Sequence, residues 1–211
     1  AMPPLKQQFN DEHLVLAYLL SGLQLYEIDG QRTILRGGQG IIFPPGTRYG
    51  SSRYPEQKGE LIWLTIDLTP PPPPFPCFST DASAEFLEDL LSDRSDHRFP
   101  LSPSTAGALR QSIKSAKSER SAIDRTRTNH HLAKALLETH TSLGQSLDQS
   151  YSAEIRKVLQ WIESNLGEEE TRVEKLAQLV GLSPSHLHRQ FKEQTGLPPS
   201  DYMLRRRIIE A

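Results

Sequence analysis

Hydrophobic and polar positions repeat at two different periods along this chain, and the change of period divides it. From His13 to Leu68 the apolar runs are short and turn residues separate them. His13–Leu20 and Leu23–Ile28 flank Ser21-Gly22, and Asp29-Gly30 is a hairpin signal leading into Gln31–Leu35. Gly37-Gly38-Gln39-Gly40 reads as another turn, and Ile41–Phe43 as a short strand stopped by Pro44-Pro45-Gly46. Glu60–Leu68 alternates loosely and carries Trp63. Closely spaced strands with this punctuation predict an antiparallel barrel or sandwich.

Helical spacing takes over further on. Ala82–Leu91 sets Phe86, Leu87, Leu90 and Leu91 on one face; Ser104–Ser118 does so with Leu109, Ile113 and Ala116. Asp124–Leu143 has a stripe of Leu132, Leu136 and Leu143, and Ser152–Leu166 is amphipathic through Ile155, Val158, Leu159, Ile162 and Leu166. Between strands and helices lies TPPPPPFP, a polyproline spacer, and Gly144–Ser150 is a polar linker. The pattern predicts an α+β chain with boundaries near 1–80, 81–147 and 151–211.

The sharpest local signals lie between Thr171 and Gly196. Thr171 and Glu174 stand at capping-box spacing, so a helix should start near Arg172. Leu176, Ala177 and Val180 form its apolar face, and Gly181 ends it. Ser183 is a good N-cap and Pro184 suits a first helical position. Leu187 and Phe191 then face inward, leaving Ser185, His188, Arg189 and Lys192 outward. Two short helices around a tight turn suit a DNA-binding helix-turn-helix, whose second helix needs such an outer face. An ordinary helical hairpin with a solvated face has the same spacing.

Composition changes this picture little. The chain has 211 residues, 36% of them hydrophobic, and a formal net charge of -2. From Arg172 to Ala211 seven Lys/Arg stand against four Asp/Glu, a local net of +3 and a weak nucleic-acid footprint. The one cysteine, Cys77, excludes an intramolecular disulfide and fits a reducing compartment. No apolar run is long enough to span a membrane. A cytoplasmic protein is expected.

The sequence LAQLVGLSPSHLHRQFKEQTGLPPSDYMLRRRIIEA closely resembles the first helix-turn-helix of the AraC family of bacterial transcription regulators. The matching features are Leu176-Ala177, Gly181-Leu182-Ser183, Leu187, Phe191-Lys192, Thr195-Gly196, Tyr202 and the Arg-rich helix opening after it. The resemblance implies a recognition helix that turns Ser185, His188 and Arg189 toward bases. Lys192 and Arg205-Arg206-Arg207 would reach phosphates or partner acids. GLQLYEIDGQRTILRGGQGIIFPPGTRYG, followed by RYPE and ELIWLTIDL, similarly resembles the N-terminal cupin barrel of these regulators. That implies a small-molecule effector, and helices after the barrel that pair subunits into a homodimer.

Candidate effector contacts are Tyr18, Tyr26, Arg48, Tyr49 and Trp63, aromatic or cationic groups in the strand region. Tyr49 and Trp63 match positions that touch the sugar in arabinose-responsive members. Ser21 stands where those members carry the arginine that grips it, which speaks against arabinose itself. A metal cofactor is not expected. His13 is the only histidine before His97, no H-x-H occurs among the strands, and His130, His131 and His140 do not make a ligand set. Neither catalysis nor a membrane partner is expected.

Family members carry two helix-turn-helix units, and this sequence stops at Ala211 inside the expected connecting helix. It reads as a truncation that leaves Ile208 and Ile209 uncovered. Weak DNA binding follows, since affinity falls steeply with fewer phosphate contacts. A cupin enzyme and a regulatory partner protein without DNA binding remain open as alternatives.

Overall fold

The computed structural model describes residues 9–10, 12–51, 58–70, 72–147, 151–167 and 172–210. Among the described residues there are eight strands: β1 (Phe9–Asn10), β2 (Leu14–Ser21), β3 (Leu23–Ile28), β4 (Gln31–Arg36), β5 (Gln39–Phe43), β6 (Arg48–Gly50), β7 (Glu60–Ile66) and, after the first helix, β8 (Arg98–Pro100). They form two four-stranded antiparallel sheets, ordered β1-β6-β3-β4 and β7-β2-β5-β8. Among the described residues no ladder runs round from one sheet to the other, so two facing sheets stand where a closed barrel is expected. The edge strand β4 pairs with β3 alone, while its sequence neighbour β5 pairs with β2 and β8.

Local chemistry explains the hairpins. Asp29 and Gly30 both take positive φ, 46° and 81°, and pair Ile28 with Gln31 across a two-residue turn. The expected turn at Gly37–Gly40 is shorter. Gln39 and Gly40 already pair with Leu19 and Tyr18 in β5. The Phe99 ring lies over Gly40, where an added Cβ would fall 2.2 Å from ring carbon Cζ.

The described residues also form seven helices: α1 (Thr80–Leu91), α2 (Pro103–Lys117), α3 (Ala122–Ser142), α4 (Ala153–Ser164), α5 (Val173–Leu179), α6 (Pro184–Thr195) and α7 (Pro199–Glu210). Five of them begin on a serine N-cap: Ser79, Ser102, Ser121, Ser152 and Ser183. Each hydroxyl accepts from the amide three residues on, satisfying a helix N–H that has no partner within the helix. α5 has no such bond. Its N-cap is Arg172, and the Thr171 of the expected capping box lies outside the described residues.

β2 is apolar at nearly every position because both of its faces are covered. Val15, Ala17 and Leu19 point between the sheets with Tyr26, Leu35, Ile41, Phe43 and Tyr49. Leu14, Leu16, Tyr18 and Leu20 point the other way, onto Phe86, Leu109 and Leu136 of α1, α2 and α3. The outer face of the β1-β6-β3-β4 sheet is covered in turn. Leu23 and Leu25 of β3 join Ile155, Val158, Leu176, Leu187, Phe191 and Tyr202 in one core. Layers therefore run α1–α3, sheet, sheet, α4–α7.

Candidate nucleic-acid interface

The turn between α5 and α6 closes through backbone bonds. Leu182 N donates to Ala177 O at 3.0 Å and Gly181 N to Gln178 O at 3.2 Å, with Gly181 at φ 69°. Leu187 and Phe191 are fully buried, and the Phe191 ring meets Tyr202 of α7 edge-on at 5.4 Å. At the other end Thr195 Oγ1 donates to Phe191 O at 2.8 Å, and Gly196 caps the helix at φ 75°.

Pinning one face in this way fixes the other. Ser185, His188, Arg189 and Lys192, at i, i+3, i+4 and i+7, are all exposed on α6. Among the described residues their side chains make no hydrogen bond or ion pair within the chain. This face carries cations and hydrogen-bonding groups that nothing in the protein consumes, and the sheets do not cover it. In the triple-arginine run one arginine meets acids, and the other two donate to backbone carbonyls. Arg206 is buried against Glu163, Arg205 Nη1 donates to Lys58 O at 2.7 Å, and Arg207 Nε donates to Leu166 O at 3.3 Å. Ile209 is covered too, while Ile208 stays exposed.

Strand-region candidates separate into two groups. Tyr26, Tyr49 and Trp63 come together with Phe43 between the sheets. Phe43 stacks on Tyr49 at 4.0 Å, and Trp63 lies 5.9 Å from Phe43, 6.0 Å from Tyr49 and 6.1 Å from Tyr26. Trp63 keeps 43% of its surface exposed and forms the wet end of this group. Tyr18 and Arg48 lie elsewhere. Tyr18 faces α3, with its hydroxyl 3.3 Å from Thr139 Oγ1 and its acidity suppressed by burial. Arg48 is exposed; its backbone amide donates to Asp29 Oδ1 at 3.1 Å and its carbonyl accepts from Asp29 N at 2.8 Å. Alternation along β6 turns Arg48 away from the side where Tyr49 meets Phe43.

Sequence reasoning misses the junction between the sheets and the last four helices. Arg36 Nε of β4 donates to Tyr202 Oη at 2.6 Å and its Nη2 to Glu163 Oε1 at 2.9 Å. Tyr202 Oη in turn donates a hydrogen bond to Glu163 Oε1 at 2.8 Å. Arg206 grips both Glu163 oxygens, at 3.0 Å from Nε and 2.6 Å from Nη2. Burial alone would raise the Glu163 pKa, but the two arginines outweigh it and hold the carboxyl at about 2. Backbones also touch here. A Cβ on Gly37 would sit 2.2 Å from Thr195 O, and one on Gly196 would sit 2.5 Å from Ser21 Cα. Ser21 is thus a contact between the sheets and the end of α6.

Comparison with known proteins agrees with the helix-turn-helix geometry. Residues 162–204 match the family described as bacterial regulatory helix-turn-helix proteins, AraC family. The HTH-type transcriptional activator RhaS of Enterobacter sp. (strain 638) is 27% identical over 133 residues, covering 59% of this chain and 47% of that protein. RhaS of Citrobacter koseri is 42% identical over 59 residues, or 28% of this chain and 21% of that one. The chain spans about half the length of these curated relatives, or less. Among solved structures, the AraC-like transcriptional activator CuxR is 17% identical with a TM-score of 0.35, over 95% of this chain and 68% of that one. Apo ToxT from Vibrio cholerae is 9% identical with a TM-score of 0.39, over 97% of this chain and 94% of that one.

Proposed function

From the match of residues 162–204 to the AraC family of bacterial regulatory helix-turn-helix proteins, we propose that the chain is a member of that family and a sequence-specific DNA-binding transcription regulator, not an enzyme. The observation that carries the reading is the free outer face of α6. Arg189, with Ser185 and His188 beside it, reads base edges in the major groove, because a guanidinium can donate two bonds to one guanine. Lys192, a turn further on, meets phosphate. Selecting preferred duplexes from a random library with the full chain, then measuring affinity by fluorescence anisotropy, tests this. No preferred sequence, together with affinity that does not fall with salt, would overturn it.

The strands form the effector-binding unit in this proposal, cupin-like and running to about residue 80. Residues 81–147 supply a dimerisation segment, and 151–211 the DNA-binding domain with its first helix-turn-helix. The aromatic group of Tyr26, Phe43, Tyr49 and Trp63 supports a small, sugar-like effector, since flat rings with one exposed edge stack on such molecules. Exposed Ile123 and Leu137 on α3 support pairing with a second copy. The proposed setting is the cytoplasm, where DNA is reached directly. Effector binding would act by favouring one of two arrangements of the sheets against α4–α7.

A further inference from the structure

A cavity of about 380 Å³ opens where the sheets meet α4. Arg36, Gln39 and Arg98 line it from the strands, and Arg156, Gln160 and Glu163 line it from α4. Three guanidiniums in one small space would repel one another unless balanced. Two of them are balanced. Arg36 is paired with Glu163 at 2.9 Å, and Arg98 grips Asp96 with contacts of 2.7, 2.9 and 3.1 Å.

Arg156 is the exception. Among the described residues no carboxylate lies within ion-pair distance of it. Among the described residues its one hydrogen bond, Nη2 to Tyr151 O, is 3.4 Å long, and its Nε is sealed from solvent without a partner. A shielded guanidinium donor left unmatched is costly, and native proteins rarely leave one so. The cavity beside Arg156 has room for a partner of opposite charge.

We propose that this cleft binds a small oxyanion, a metabolite carrying carboxylate or phosphate, with Arg156 as its anchor. The planar fork of arginine donates two parallel bonds to such groups, and charged bonds of this kind are the strong ones. Gln39 and Gln160 supply neutral polar contacts, and Leu159 lies against any apolar part. The volume is near the lower end for ligand sites, which suits a molecule of a few carbons rather than a long chain. The ligand touches both the sheets and α4, so it binds the docked arrangement better than a separated one and stabilises it. This site is separate from the aromatic group between the sheets, and it stands whether or not α6 reads DNA.

Titrating the full chain, without DNA, with inorganic phosphate and with malonate tests the proposal by calorimetry and by thermal shift. Sodium chloride at matched ionic strength is the control. Saturable binding of either probe is expected, and which one binds distinguishes the two sources of the anion. Arg156→Gln should weaken it about tenfold or more, the worth of a charge-assisted bond. Gln160→Glu, at an exposed position, should weaken it likewise, and serves as the readout if the Arg156 variant does not fold. Lys157→Gln, on the exposed side of the same helix, should leave binding unchanged. No saturable binding of either probe, a shift matched by chloride, or unchanged affinity in both cleft variants would overturn the proposal.

Discussion

Arg36 and Tyr202 stand 166 residues apart, yet Arg36 Nε donates a 2.6 Å hydrogen bond to the Tyr202 hydroxyl. That bond joins β4 to α7, the helix packed on Phe191 of the helix-turn-helix, and Glu163 completes the junction from α4. The group is held by charge, so pH acts on it. Glu163 titrates at about 2 here and near 4.5 without its partners. A depressed carboxylate contributes fully above its unfolded pKa, and that contribution is lost as pH falls through the folded one. The junction should therefore weaken between about pH 4.5 and pH 2. Glu163→Gln should cost about 2 kcal/mol at pH 7, toward the low end for breaking a buried pair because the carboxylate keeps some exposure. The same variant should flatten the acid limb of a stability-versus-pH curve. A parallel acid limb in both proteins would count against the assignment.

Gly37 gives a steric test of the same junction. Its φ is not in the left-handed region, so alanine there is tolerated by the backbone itself. An added Cβ would instead strike Thr195 O at 2.2 Å, and a backbone atom has little freedom to give way. Gly37→Ala should cost about 1–3 kcal/mol, as overpacking does, and loosen the sheets from α4–α7. Hydrogen exchange should rise at the β2–β3 turn and around Thr195 while the core of each unit stays protected. Uniform exchange across the chain would mean general unfolding, and no change would mean the contact is not tight.

How much of this was legible from residues depends on how local the signals are. Ser183-Pro184, Gly181 and Gly196 fix α6 and its turn with neighbours only a few residues away, so the sequence locates them closely. The Asp29-Gly30 hairpin is legible for the same reason. β8 is not: three residues show no alternation, and their partner β5 lies far back in the chain. Tyr18 is illegible in another way. Every neighbour on β2 is apolar, so no period says which face it takes, and here it takes the helical side. The arginine run shows its charge but not its partners, since Glu163 is brought beside Arg206 only by packing. Serine N-caps at Ser79, Ser102, Ser121 and Ser152 mark the starts of α1 to α4 by equally local chemistry.

On DNA, Arg189 and Lys192 should behave differently. Arg189→Ala should cost about 1–3 kcal/mol on the preferred duplex and relax base preference at one position. Lys192→Ala should weaken all duplexes alike and lower the slope of log affinity against log salt by about one. Anisotropy at several salt concentrations separates the two. Equal losses on preferred and random duplexes for Arg189→Ala would remove it from base contact.

Tyr18 and Trp63 allow a final discrimination, because both are aromatic strand residues but face opposite layers. The Thr139 hydroxyl already donates to Ala135 O at 2.8 Å, so Tyr18 is the donor in its 3.3 Å contact with Thr139. Tyr18→Phe removes that donor and leaves Thr139 Oγ1 buried with one fewer partner. The cost should be about 1 kcal/mol of stability. It should not change effector affinity, since the ring faces α3 and not the space between the sheets. Trp63→Ala should do the reverse. It removes a ring that is partly in water already, so little stability is lost, but it strips the exposed wall of the aromatic group. Loss of a stacking ring should weaken a sugar-like ligand about tenfold. Screening small sugars by quenching of tryptophan fluorescence in the parent chain finds the ligand, and calorimetry on the two variants ranks them. Weaker binding in Tyr18→Phe than in Trp63→Ala would move the effector site to the helical side of β2.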